Sequence, residues 1–123
     1  MLIAVTCDEK SLDAPVARRF GKALYVFVAD PDSRVVRIID NSAHAGLHLG
    51  SGARTAEMLA RFGVSWVATG EIGEESFQIL EGSSVKVVSH ATGSCREILD
   101  RLAAGGLQPT SNTDPGARCE PED

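Results

Sequence analysis

Pro31-Asp32-Ser33 separates two apolar, β-branched runs, residues 24–29 (LYVFVA) and 34–39 (RVVRII). Proline presets the turn backbone and the Asp and Ser side chains bond back to it, so the flanking strands must form an antiparallel hairpin. The rest of the chain has the opposite grammar. Residues 53–62 carry Ala56, Leu59 and Ala60 on one helical face and stop at Gly63, after which residues 64–69 (VSWVAT) read as a strand. Residues 74–81 repeat the pattern with Phe77 and Leu80 inward and Gly82 at the end, followed by strand residues 85–89 (VKVVS). Strands joined through a helix run parallel, by right-handed crossovers. A chain holding both kinds of connection needs a mixed sheet.

Residues 2–6 (LIAVT) supply the first strand. Ser94 and Glu97 have capping-box spacing and open a helix through residue 104, whose apolar stripe is Cys95, Ile98, Leu99 and Leu102. With the first strand paired to the second, the order β β β α β α β α gives a five-stranded sheet of order 3-2-1-4-5 with three helices. That α/β arrangement is ribonuclease-H-like. Residues 108–123 hold three of the five prolines and almost no apolar side chain, and they read as a disordered acidic tail after a single domain, residues 1–107. The tail has a net charge of −3, so only −2 of the chain's −5 belongs to the domain.

Several classes are excluded. One Trp, one Tyr and no basic stripe speak against nucleic-acid binding. No run is long enough to span a bilayer, and MLIAVTCDEK reaches Asp8 too early for a signal peptide. Three widely spaced cysteines are no disulfide framework, so the expectation is a cytoplasmic protein with reduced thiols.

Chain direction then decides which residues share an edge. With the first strand pointing up, residues 7–22, 41–51, 70–73 and 90–94 all emerge at the upper edge. They carry Cys7, His44, His48, His90 and Cys95. In open α/β sheets ligands bind beyond the carboxyl ends of strands at the switch in strand order, here the crevice between the first and fourth strands. Residues 41–52 (NSAHAGLHLGSG) hold two histidines among three glycines and precede a helix. Imidazole is a ligand and proton carrier near neutral pH, and glycines beside helix amino termini (Gly46, Gly50, Gly52, Gly70, Gly73, Gly93) let backbone N–H groups approach an anion. A thiolate at Cys7 would suit a soft metal. Cys95 lies on an apolar helical stripe and reads as core, and Cys119 as an incidental free thiol.

The same loops carry a family resemblance. Residues 1–6 (MLIAVT), 16–23 (VARRFGKA), the His/Gly-rich loop, 66–73 (WVATGEIG) and the glycine loop before the last helix resemble the dinitrogenase iron–molybdenum cofactor-binding family, which includes NifX-like and NafY-like proteins and the carboxy-terminal domain of NifB-type proteins. The likeness spans residues 1–106 in order. It implies a non-catalytic carrier, related to nitrogenase cofactor biosynthesis, for a metal–sulfur cluster of iron and sulfur, with Mo- or Cu-containing forms included. It implies metal ligands among His44, His48, His90 and Cys7, with Arg19, Gly21, Gly46, Gly50, Gly70, Gly73 and Gly93 around the cluster. Cluster donor and acceptor proteins would be its partners, and the chain itself would be a monomer or weak dimer. Many members have His directly before the Phe-Gly of the first loop, where this chain has Arg19. A guanidinium there balances an anion rather than ligating a metal.

Two other readings stay open at this level. One is a metal-free regulatory or protein-interaction module on the same fold. The other is a hydrolase of phosphorylated small molecules that uses Glu71 with a divalent cation. A ribonuclease-H-type nuclease is excluded, because the first strand holds no carboxylate for its metals.

Overall fold

The computed structural model describes residues 1–110. Its five strands are β1 (Ile3–Cys7), β2 (Tyr25–Asp30), β3 (Val35–Asp40), β4 (Trp66–Ala68) and β5 (Lys86–Val88), in the spatial order β3-β2-β1-β4-β5. β1–β2 and β2–β3 are antiparallel, while β1–β4 and β4–β5 are parallel. This is the mixed ribonuclease-H-like sheet expected from the turn and helix grammar. The hairpin register pairs Asp30 with Val35 and Tyr25 with Asp40.

Three main helices cover the sheet: α2 (Ser51–Phe62), α3 (Glu74–Gly82) and α4 (Cys95–Ala103). Strand alternation splits the core into two layers. Ile3, Val5, Cys7, Phe27 and Ala29 face α4, where they meet Cys95, Ile98, Leu99 and Leu102. Ala4, Val26, Val28 and Val67 face α2 and α3, where they meet Ala56, Leu59, Phe77 and Leu80. α2 ends at Gly63 (φ 89°), whose N–H bonds the carbonyls of Leu59 and Ala60, so the C-cap expected there is present. The capping box of α4 is also present: Glu97 N–H donates to Ser94 Oγ at 3.1 Å and Ser94 N–H to Glu97 Oε1 at 2.9 Å.

Two details differ from the sequence expectation. Residues 41–52 are not a loop throughout, because Ser42–Ala45 form a one-turn helix, α1, and α2 begins at Ser51. Ala45 is buried, and Lys22 Nζ donates to the carbonyls of Ala45 (3.5 Å) and Leu47 (3.0 Å), satisfying acceptors the short helix leaves open. Residues 108–110, assigned above to the tail, run beside β5: Thr110 N–H donates to the Val87 carbonyl at 2.6 Å and Ser89 N–H to Thr110 Oγ1 at 2.9 Å. The rest of the expected tail, including Cys119, lies outside the described residues.

The crevice between β1 and β4 is filled by the chain itself. After β1 the backbone turns back, and residues 16–20 lie across the strand ends. Ala17 N–H donates to the Thr6 carbonyl (2.9 Å), Gly70 N–H to Ala17 (3.0 Å), Glu71 N–H to Arg18 (2.7 Å) and Phe20 N–H to Glu71 (2.9 Å). Below them the buried hydroxyls of Thr6 and Thr69 bond at 2.6 Å. Such close passage requires glycine at position 70, since a Cβ there would lie 2.6 Å from the Ala17 carbonyl oxygen and press on that of Arg18. Backbone atoms cannot swing aside as a side chain can. Gly70→Ala is therefore expected to destabilise the fold by about 1–3 kcal/mol, as overpacking does. Differential scanning calorimetry should show Tm lowered by roughly 10 °C.

Candidate functional site

With that crevice closed, the open cleft at the carboxyl ends of the strands moves one step toward β5. It has a volume of about 370 Å³ and is walled by Pro15–Arg18 on one side and by His90–Gly93 on the other, with Gly70 and Glu71 between them. This lies within the size range of small-ligand sites. Gly70 ties the walls together: its N–H bonds Ala17, and its carbonyl accepts from His90 N–H at 2.9 Å. Ala91 N–H donates to the Thr69 carbonyl at 2.9 Å, and Val16 N–H to that of Gly93 at 3.1 Å. His90 itself sits in the left-handed region at φ 58°. A non-glycine residue held there by bonds on both sides is a local strain of the kind found at binding sites.

The polar side chains of the cleft are those of Arg18, Glu71, His90 and Thr92, with Arg18, His90 and Thr92 exposed. Sequence reasoning selected Arg19, but Arg18 is the arginine that lines the cleft. Arg18 sits at a bend between buried Ala17 and the 3₁₀ turn at Phe20, and it is exposed where Arg19 is half-buried.

The amino terminus of α4 is not the anion site its glycine suggests. Cys95 N–H donates to Ala14 (2.9 Å) and Arg96 N–H to Leu12 (2.8 Å), and Glu97 N–H is taken by the cap. The donors left on that wall are the N–H groups of Thr92 and Gly93, which meet no acceptor among the described residues. Gly70 and Gly93 belong to the cleft. Gly21 is buried in the 3₁₀ turn Phe20–Lys22, Gly46 and Gly50 bound the segment after α1, and Gly73 caps α3.

The three histidines do not converge. His44 follows β3 and His90 follows β5, and these are the two outer strands of the sheet, four strand spacings or roughly 19 Å apart. His44 is half-buried and its Nδ1 lies 3.0 Å from Asn41 Oδ1. Asn41 is buried, and its Nδ2 donates to the Ala23 carbonyl (2.9 Å) and Thr55 Oγ1 (3.0 Å), so the imidazole is the donor in the bond to Oδ1. Nε2 is then the nitrogen able to accept, in a hollow lined by Arg54, Glu57, Met58, Arg61 and Phe62. His48 is exposed on the segment before α2. Among the described residues no three His, Cys, Asp or Glu side chains gather where they could hold one metal ion.

Cys7 is the last residue of β1 and fully buried. Its thiol lies 3.8 Å from the Ser11 carbonyl and 3.7 Å from that of Pro15, under the cleft wall rather than in the cleft. Cys95, also fully buried, packs beside it with Sγ 3.9 Å from the Thr6 carbonyl.

These features define a class: a small α/β domain whose cleft presents a guanidinium, an imidazole and backbone N–H groups at the carboxyl ends of a mixed sheet. Comparison with known proteins makes the assignment specific. Residues 1–105 match the family described as dinitrogenase iron-molybdenum cofactor, and the chain belongs to that family. The apo form of the orange protein from Desulfovibrio gigas superposes with a TM-score of 0.86 at 30% identity, covering 92% of this chain and 95% of that one. A putative NifB protein from Thermotoga gives 0.77 at 28% identity, covering 94% and 98%. An uncharacterized protein of Methanocaldococcus jannaschii is 27% identical over 108 residues, 88% of this chain and 90% of its own. No helix of the described residues is long and apolar enough to cross a membrane.

Burial, and then the neighbouring Cys7 thiol, push the Cys95 thiol well above the usual thiol range. The folded state therefore keeps a proton that the unfolded chain releases near pH 9. Stability from this group is complete below that value and declines as pH rises above it. Urea unfolding should show the midpoint falling between about pH 8 and about pH 10, with a smaller fall in Cys95→Ala.

Proposed function

We propose that this protein binds an anionic metal–sulfur cluster, or a precursor of one, in the cleft between residues 15–18 and 90–93 and passes it to an acceptor protein. The observation that carries this reading is that Arg18 and His90 line one cleft with Gly70 in a member of a cofactor-named family. Arg18 offers a fixed positive charge and a planar fork of donors. His90 offers a nitrogen ligand, and the N–H groups of Thr92 and Gly93 offer neutral donors to sulfide edges. A resident mononuclear metal needs three or four converging protein ligands. A polyatomic anion needs only complementary charge and donors, which is what the cleft provides.

An open cleft with few direct ligands also suits a carrier. The cargo is held by reversible contacts and stays accessible to the protein that takes it. Hydrolysis of phosphorylated compounds finds less support, because Glu71 has no second carboxylate beside it in the cleft to share a cation.

Anaerobic incubation with iron, molybdate and sulfide should give protein-bound metal and sulfide with visible charge-transfer absorption. Arg18→Ala should weaken binding about tenfold, the value of one charge-assisted contact. Arg18→Ala with His90→Ala should abolish it, while His44→Ala with His48→Ala should leave it unchanged. Loss of binding in the His44/His48 variant alone would move the site to the segment after β3. No bound metal or sulfide in any variant or the parent would favour the metal-free interaction module.

A further inference from the structure

The sheet ends on one side in an edge strand protected by neither proline nor bulge, whose charges are Arg37 near its middle and Asp40 at its end. β3 is six residues long, VVRIID, with no proline inside it and no bulge in its pairing with β2. Val35, Val36 and Ile38 are 49%, 44% and 44% exposed, and they account for three of the molecule's large exposed hydrophobics. Edges of this kind pair with other chains unless charge, proline or a bulge prevents it.

The ladder shows which groups are open. Asn41 N–H donates to the Leu24 carbonyl at 2.8 Å, and the register continues as Ile39 opposite Val26 and Arg37 opposite Val28. Hydrogen-bonded pairs alternate along an antiparallel ladder, so residues 35, 37 and 39 turn their N–H and C=O groups to β2. Those of Val36, Ile38 and Asp40 face outward.

We infer that β3 pairs with β3 of a second copy of this chain, antiparallel about a two-fold axis at Ile38, joining two sheets into one. The charges select this register. An axis at Arg37 sets two guanidinium groups directly opposite each other, which is destabilising. An axis at Ile38 stacks Ile38 on its own copy and sets Val36 opposite Asp40 of the second copy. It also brings Arg34, at the start of the strand, diagonally to that same Asp40, within reach of a long side chain. All three outward residues then fall in hydrogen-bonded pairs. The strand carries its positive end at Arg34 and its negative end at Asp40, so it is complementary to itself in this orientation. The cleft beyond β4 and β5 lies at the other side of the sheet and stays open in both copies.

Pairing one strand per chain buries less than the roughly 1,200 Å² of a tight interface, so the dimer is concentration-dependent. Sedimentation equilibrium on the full chain between about 10 µM and 1 mM should show the mass rising from 13.0 kDa toward twice that value. Ile38→Lys should stay at the chain mass with an unchanged far-UV spectrum and Tm. The register is read by oxidative trapping with diamide in a Cys119→Ser background. Ile38→Cys should give a covalent dimer, because Cα atoms in a hydrogen-bonded pair lie about 5.5 Å apart, a distance a disulfide spans. Arg37→Cys should not. A chain that remains at 13.0 kDa throughout, or that traps through position 37 and not 38, overturns the inference.

Discussion

The passage of residues 16–20 across the ends of β1 and β4, permitted by the missing side chain at Gly70, determines where everything else at the functional edge lies. The strand ends would otherwise present unpaired backbone groups at the switch in strand order, where α/β sheets commonly hold a ligand. Here those groups are satisfied within the chain. The same hydrogen bonds present Arg18 outward, fix Gly70 as a floor and carry the wall at residues 90–93 through the Gly70 carbonyl. One constraint on one residue thus builds the sheet edge and the cleft together.

Much of the fold was legible because turn chemistry and helix stops act locally. Pro31-Asp32-Ser33 specified the hairpin, and Gly63 and the Ser94/Glu97 pair specified helix ends, so strand order followed from connection rules. Position along the sheet is less local. All three histidines belong to the predicted edge, yet an edge of five strands is wide. His44 at one end and His90 at the other share it without meeting, a separation that strand order alone implies.

Two further placements that sequence did not reveal share a cause. Placing Arg18 rather than Arg19 in the cleft required knowing which way the bend at residue 18 faces, and that is set by hydrogen bonds to residues 70 and 71, far away in sequence. Likewise Cys7 looks like a strand-end ligand until the turn back of residues 8–16 covers it. The one-turn helix α1 depends on Lys22 and buried Asn41, partners that no periodicity in residues 41–52 reveals.

The account's central claim is the location of the cargo, and amide chemical shifts report location directly. In a titration of the 15N-labelled protein with tetrathiomolybdate, a molybdenum–sulfide anion, the resonances of Arg18, Gly70, Glu71 and residues 90–93 should move together and saturate. Shifts confined to residues 41–52, with those around Gly70 unmoved, would contradict it.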